Sequence, residues 1–335
     1  MKLIATVLLA ACAVILTGCA TKSTQPTWFV GDDIKYSRDK YLLGRGQAST
    51  LEEAKYRARA DLAQIFQVAI KVASEEVQRY MSTNTALGSG NVSENYLQRL
   101  NTFTEQVLKG IQIAEIWQNK ADNSFAVLAV LPRLQAEESL RQQIGQLDEG
   151  VRINVVQAKS NADVLVKIAS ANKAIYIQLE REGLQRALQV IDVTGRGIES
   201  LHNSLKLKIV LDELRKQVRI SFKVLGGSVP GLDEVVSGTL SHAGFTVDSV
   251  EPVFLLKASL RLTDLGIIDG WYWQRGSLEI SVSETATGRV RGAQRWPIKS
   301  NGRDRALAIR KALDETSEVL RKDLGSTITG MADVK

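Results

Sequence analysis

The chain has 335 residues, 44% of them hydrophobic and 24% charged, with a net charge of +6. That is an ordinary folded composition with length for about two domains, and it excludes a disordered or fibrous chain. Two cysteines, Cys12 and Cys19, are too few for a disulfide-stapled scaffold; the acidic residues are interspersed with the basic ones, so a solvated mixed surface is expected, and the secretory start of the chain argues against a nucleic-acid partner.

Lys2 precedes an apolar run from Leu3 to Leu16, shorter than the roughly 20 residues that span a bilayer. A charged start, a short apolar core and small residues at its end describe a secretory signal. The run ends in Leu16-Thr17-Gly18-Cys19, which resembles the lipobox of bacterial lipoproteins. The resemblance implies cleavage before Cys19 and a diacylglyceryl thioether plus an N-acyl chain, of the palmitate kind, on that cysteine. Two or more chains, at about 0.8 kcal/mol per buried methylene, anchor a protein stably. The expected layout is a signal over 1–18 and a lipidated cysteine with a short tether over 19–26. Ala20, rather than Asp, follows the cysteine. By the sorting pattern of such lipoproteins this implies the outer membrane and a periplasm-facing protein, with surface exposure left open. Cys12 leaves with the signal and Cys19 is acylated, so no thiol is left for a disulfide or a cysteine-ligated metal.

A first α+β domain is expected over 27–135. Trp28-Phe29 is its first apolar anchor. Tyr41-Leu42-Leu43 runs into Gly44-Arg45-Gly46-Gln47-Ala48 as a strand that another backbone approaches closely. Thr50 and Glu53 form a capping box. A helix follows with Leu51, Ala54, Ala58, Leu62, Ile65, Ala69, Val72 and Val77 on one face. Strand, Gly-x-Gly and helix invite a dinucleotide reading, but Ser49 stands where the third glycine belongs and no acidic residue ends a second strand. Tight packing explains the glycines, and no cofactor is expected. Thr83 to Ser93 reads as a loop. Tyr96, Leu100, Phe103 and Val107 mark another helix, and Ile111–Gln118 with Phe125–Leu131 form an antiparallel hairpin.

Pro26-x-Trp28-Phe29, the Gly44-x-Gly46-x-Ala48 turn, and the helix with Glu53-Ala54 and Arg57-Ala58-Arg59-Ala60 resemble the twenty-kilodalton lipoprotein family (LPP-twenty). Its members include small outer-membrane lipoproteins, some tied to flagellar assembly and motility. The resemblance covers about a third of the chain and implies no catalytic residues.

A helical bridge is expected over 136–216. Leu140, Ile144, Leu147, Val151, Val155, Ala158, Ala162 and Leu165 make a nearly heptad seam. Ile175, Leu179, Leu184, Leu188 and Ile191 follow, and Leu201, Leu205, Ile209 and Leu214 suggest one more helix. The segment folds back as a hairpin or pairs as a coiled coil with a second subunit, so homo-oligomers are left open. Ser160 to Asp163 is a candidate bend.

Over 217–330 the order is strand (Val218–Val224), helix (Leu232–Leu240), strand (Phe245–Val247), three antiparallel strands, and a closing helix lined by Ala306, Ile309, Leu313, Leu320 and Leu324. That order predicts a two-layer sheet with helices on one face, and is similar to small α/β domains of envelope proteins. The whole chain is therefore expected to be α+β: two small α/β-type domains with partly antiparallel sheets, joined by a long helical segment.

Few residues suggest chemistry. His202 and His242 lie on expected helices without a second ligand at i+3 or i+4. Asp32-Asp33 and Glu75-Glu76 are adjacent pairs that do not face a common cleft. The chain is expected to be no enzyme and to hold no metal. Its most unusual stretch is Gly270-Trp271-Tyr272-Trp273-Gln274-Arg275. Trp271, Tyr272, Trp273 and Arg275 are a candidate contact patch, because Trp, Tyr and Arg are enriched at binding hot spots. Core aromatics with a solvated Tyr272 are the competing reading. The expected function is a non-enzymatic periplasmic scaffold or adaptor in an envelope machine, with flagellar assembly as one such machine. A binding module for cell-wall glycan or glycolipid, and an assembling secretion or pore component, are the alternatives.

Overall fold

The computed structural model describes residues 25–31, 33–83, 98, 99, 102, 105 and 109–332. The lipobox, Cys19, Asp32, and the helix positions Tyr96, Leu100, Phe103 and Val107 lie outside the described residues. The chain is α+β, with a three-stranded and a five-stranded sheet. Its contacts separate it into two compact units, residues up to 64 with 110–133, and 65–109 with 134–335. Among the described residues, no helix is long and apolar enough to cross a membrane.

The first unit contains helix α1 (Thr27–Val30), a 3-10 turn (Ile34–Tyr36), β1 (Tyr41–Ala48), the start of α2 (Leu51–Thr83), β2 (Gln112–Gln118) and β3 (Phe125–Pro132). The strands run β1-β3-β2, all antiparallel. β3 is central, so both of its faces must be covered, which is why Phe125–Leu131 is an unbroken apolar run rather than an alternating one. On one face Trp28 and Tyr36 pack against Ala126, Leu128 and Val130. On the other, α2 lies close to β1. Thr50 begins that helix, its Oγ1 accepting from the Glu53 N–H at 3.4 Å, while Ala54, Ala58, Leu62 and Phe66 are buried.

The glycines of β1 exist for this approach. A Cβ on Gly44 would overlap the Ala58 carbonyl oxygen and stand 2.7 Å from Leu62 Cγ. One on Gly46 would overlap the Ala54 carbonyl and the Ala58 nitrogen. Arg45 between them points the other way and ties in α1, donating from Nε to the Trp28 carbonyl and from Nη2 to the Gly31 carbonyl, both at 2.8 Å. The expected helix face needs one correction. Ile65 and Val72 are exposed, because the buried stripe steps by four from Ala54 to Leu62 and on to Phe66; the side chains of Ala69 and Val77 lie outside those described.

In the second unit, α3 (Arg133–Ser160) and α4 (Val164–Ile191) form an antiparallel hairpin. Arg181 Nε donates to Asp148 Oδ1 at 3.1 Å, and a Cβ on Gly150 would rest 3.4 Å from Ile177. The bend falls at Asn161–Asp163, where Asp163 caps α4 by accepting from the Leu165 N–H at 2.8 Å. Leu140, Ile144, Val151 and Ala158 are buried within the chain, as are Ile175, Leu179, Leu184, Leu188 and Ile191.

α5 (Ser204–Lys216) corrects another expectation. Its buried residues are Ser204, Leu207, Leu211 and Arg215, whereas Leu201, Leu205 and Ile209 are 97%, 67% and 62% exposed. The rotation follows from how the helix is docked. Glu182 on α4 accepts from both the N–H and the Oγ of Ser204, which turns the Ser204 face inward. His202 is in the preceding loop rather than on a helix, and its carbonyl accepts from Gln178 Nε2 at 3.0 Å.

The remaining elements are β4 (Arg219–Val224), α6 (Leu232–His242), β5 (Thr246–Val247), β6 (Phe254–Ile268), β7 (Trp271–Glu284), β8 (Val290–Gly302) and α7 (Arg305–Gly330). The sheet order is β5-β4-β6-β7-β8, parallel at β5-β4-β6 and antiparallel beyond. The buried face of α7 is Ala308, Ala312, Thr316, Leu320, Leu324 and Ile328. Ala306 is exposed, and Ile309 and Leu313 are half-buried. Small residues at the start of the buried stripe let the helix come down on Ser300 and Gly302, where Ser300 Oγ donates to the Ala308 carbonyl at 2.7 Å.

Candidate contact site

β6 and β7 are the longest strands, and their burial changes along their length. From Phe254 to Leu260 most β6 side chains are buried, whereas from Thr263 to Ile268 all but Gly266 are exposed. β4 pairs with β6 only as far as Ala258, so the outer edge of β6 is unpaired by any strand toward its end. The two strands close in a two-residue turn, Asp269-Gly270, with φ of 51° and 79° and Ile268 opposite Trp271. Two left-handed residues in succession are the tight hairpin geometry that Asp-Gly favours. A bulge at Asp264–Gly266 precedes it, with the Gly266 N–H donating to Asp264 Oδ1 at 2.9 Å.

This hairpin end carries all four residues of the candidate patch. Trp271 is 40% exposed, Tyr272 and Trp273 are half-buried, and Arg275 is exposed. They are divided between the two faces. Trp271, Trp273 and Arg275 share one face with Ile268 and with Lys299, the β8 partner of Arg275. Tyr272 is on the other with Ile267, its β6 partner. Trp273 is fixed in place: its Nε1 donates to the Ile268 carbonyl at 3.3 Å, and Lys299 Nζ stands 4.7 Å above the ring, within the range of a cation–π contact.

Sequence reasoning missed half of the surface. Leu265, Ile267 and Ile268 are 44%, 62% and 46% exposed and continue the apolar patch across the turn. An open groove of about 630 Å³ runs along the Trp273 face between Leu265, Ile268, Pro297 and Glu315. The Asp-Gly pair between apolar runs was the available signal: it is a hairpin signature that places Ile267 and Ile268 beside the aromatics.

The cations here are sorted into paired and unpaired. Arg305 is held by Asp264 at 2.9 Å. Arg275, Lys299 and Arg303 have no carboxylate partner among the described residues. Glu315 is engaged with the edge of β8, accepting from the Lys299 N–H at 3.3 Å. Asp269, in the turn, is exposed.

Elsewhere, perturbed carboxylates belong to ion pairs that join elements. Glu284 is held down to about 2 by Arg289, with further hydrogen bonds from Thr287 and Arg291. Arg291 also donates to Asp163 Oδ2 at 2.5 Å, linking β8 to the cap of α4. Burial pushes Glu180 up, and Arg99 opposes that at 3.0 Å. Asp33 caps the 3-10 turn and lies below its usual range because it accepts from Thr27 and Lys35. Among the described residues no group of three His, Cys, Asp or Glu side chains could hold a metal ion.

The model of the LPP20 lipoprotein family matches residues 26–131. No curated protein matches the chain. Among solved structures, a secreted protein from Helicobacter pylori is 11% identical, with a TM-score of 0.38 over 88% of this chain and 99% of its own. A minor lipoprotein from Acinetobacter baumannii is 10% identical, with a TM-score of 0.24 over 35% of this chain and 89% of its own. A Xanthomonas campestris protein is 13% identical, with a TM-score of 0.28 over 35% of this chain and 86% of its own. The unit of strand β1, helix α2 and hairpin β2–β3, together with the Trp28 anchor, is thus the part of the chain that matches the LPP20 lipoprotein family.

Proposed function

We propose that the protein is a lipid-anchored lipoprotein of the cell envelope, held in the outer membrane through Cys19 and facing the periplasm. There it serves as a non-enzymatic scaffold or adaptor. The observation that carries this reading is the LPP20 lipoprotein match over residues 26–131, downstream of Leu16-Thr17-Gly18-Cys19. An adaptor also needs a surface for protein partners. Leu205 and Ile209 on α5, with Leu201 in the loop before it, supply one, since large apolar side chains exposed together mark interaction sites. Flagellar assembly or motility is the envelope machine we name for it.

The test is photo-cross-linking in cells from position 205 or 209, alongside a deletion strain scored for motility. The reading expects adducts with envelope proteins, flagellar components among them, and a motility defect. Absence of any adduct from either position, with normal swimming, would overturn it. A second reading, binding of cell-wall glycan or glycolipid, is favoured by the groove beside Trp273. It expects the purified protein to bind glycan without any protein partner.

A further inference from the structure

We propose that the end of the β6–β7 hairpin is a membrane-contacting wedge. It would seat in the headgroup region of a bilayer bearing anionic phospholipid, independently of the lipid on Cys19. Ile267, Ile268 and Trp271, with Leu265 behind them, are large, apolar and between 40% and 62% exposed, and they cluster on one two-residue turn. They are also on both faces of the ribbon: Ile268 and Trp271 on one, Ile267 on the other. A protein hot spot is a central patch ringed by a rim that excludes water, which a flat partner can supply to one face only. A fluid bilayer closes around both.

The side chains are ordered along the hairpin as a membrane interface requires. At about 3.3 Å per residue, the two or three residues nearest the turn reach some 7–10 Å, the depth to which interfacial elements bury their apolar face. Ile267, Ile268 and Trp271 occupy that depth. Tyr272 and Trp273 follow, of the two residue types that favour the headgroup level. Arg275 and Lys299 come next, opposite one another across β7 and β8, while Arg303 follows Gly302, the partner of Tyr272, and flanks the ribbon at the level of Trp271. None of the three cations has a carboxylate partner among the described residues, so their charge is available to lipid phosphates. Asp269, in the turn itself, opposes deep insertion and limits the wedge to the interface.

The experiment uses the mature-length chain carrying Cys19→Ser, so that no acyl chain contributes, and measures co-sedimentation with two kinds of vesicle. One is phosphatidylethanolamine with phosphatidylglycerol; the other is phosphatidylcholine alone. The wedge predicts preferential, salt-sensitive binding to the anionic vesicles, with a blue shift of tryptophan fluorescence. Ile267→Asp with Ile268→Asp should lower that partition at least tenfold while far-UV circular dichroism is unchanged, because both side chains are exposed. Neutralising Arg275, Lys299 and Arg303 to Gln should cost roughly fivefold per charge on anionic vesicles and little on neutral ones. Asp269→Asn should strengthen binding. Leu205→Asp with Ile209→Asp, on the α5 stripe, should leave it unchanged. The wedge is overturned if the wild type does not sediment with anionic vesicles. It is equally overturned if the Ile267/Ile268 variant binds as the wild type does, or if only the α5 variant loses binding. This outcome does not depend on the scaffold reading, whose test uses cells and the α5 positions.

Discussion

Gly46→Ala is a small change with a large expected effect. Its Cβ would overlap the Ala54 carbonyl oxygen and the Ala58 nitrogen and stand 2.9 Å from the Arg57 carbonyl carbon. All three are backbone atoms of α2, so no side chain can swing aside. Restoring ordinary contact requires β1 and α2 to part by about 1 Å, and gaps of roughly 0.5–1 Å already forfeit a quarter to a half of the dispersion attraction across them. The contacts at stake are those of Ala54, Ala58 and Leu62, all buried. Overpacking costs about 1–3 kcal/mol, and with the loosened contacts we expect about 3 kcal/mol for Gly46→Ala. Gly44→Ala should cost about 2 kcal/mol, because one of its neighbours is the Leu62 side chain, which can yield. Against a domain stability of about 5–15 kcal/mol these are severe. Hydrogen exchange of the β3 amides from Ala126 to Val130 reads the first unit directly, and a loss of about 3 kcal/mol is roughly a hundredfold loss of protection. Gly145→Ala is the control: it lies inside α3 with nothing within 4 Å of its Cβ, and should stabilise by about 0.5–1 kcal/mol. Protection in Gly46→Ala within threefold of the wild type would refute the close approach of strand and helix.

Other expectations follow from the second unit. Arg181, 2% exposed, bonds Asp148 and donates from Nη2 to the Ile198 carbonyl at 2.8 Å. Arg181→Ala should destabilise by about 2–3 kcal/mol, at or below the range for a broken buried pair because Asp148 is partly solvated; a urea midpoint equal to the wild type's would contradict this. Glu284 has a depressed carboxyl pKa, so its contribution is complete above the usual range near 4.5 and is lost as pH falls toward about 2. The thermal midpoint should therefore fall from pH 5 to 2, with Glu284→Gln lower at pH 7 and flatter in acid; superimposable curves would sink the assignment. Leu205→Lys and Ile209→Lys should change stability by less than about 0.5 kcal/mol, since both side chains are exposed. A calorimetric loss several times larger would mean that the stripe is core.

The fold was legible wherever local pattern and tertiary demand coincide. The apolar run of β3, the glycines of β1 and the alternation in β6 and β7 each state which face is covered. The α3–α4 hairpin was legible too, although the bend needed Asp163 to mark it as a cap. Helix faces were harder. The apolar series of α5 locates a helix, but the inward face is chosen by Glu182, a polar residue on another helix, and no periodicity within α5 reports that. α7 begins its buried face on Ala308 and Ala312, which are too small to dominate a hydrophobic pattern, and in α2 the equally apolar Ile65 hides the step from Leu62 to Phe66. The aromatic patch was visible from its composition. That it forms an exposed ribbon end with Ile267 and Ile268 was not, because β6 and β7 run on beyond their alternating parts to the Asp269-Gly270 turn.

The most direct test of the proposal asks whether Cys19 is acylated and which membrane holds the chain. The full-length chain and Cys19→Ser, each tagged at the C-terminus, would be labelled with palmitate in cells and separated into inner-membrane, outer-membrane and soluble fractions. The wild type should carry label and sediment with the outer membrane, and Cys19→Ser should carry none and lose the stable anchor. Unlabelled wild type, or a labelled chain held in the inner membrane, would contradict an outer-membrane lipoprotein.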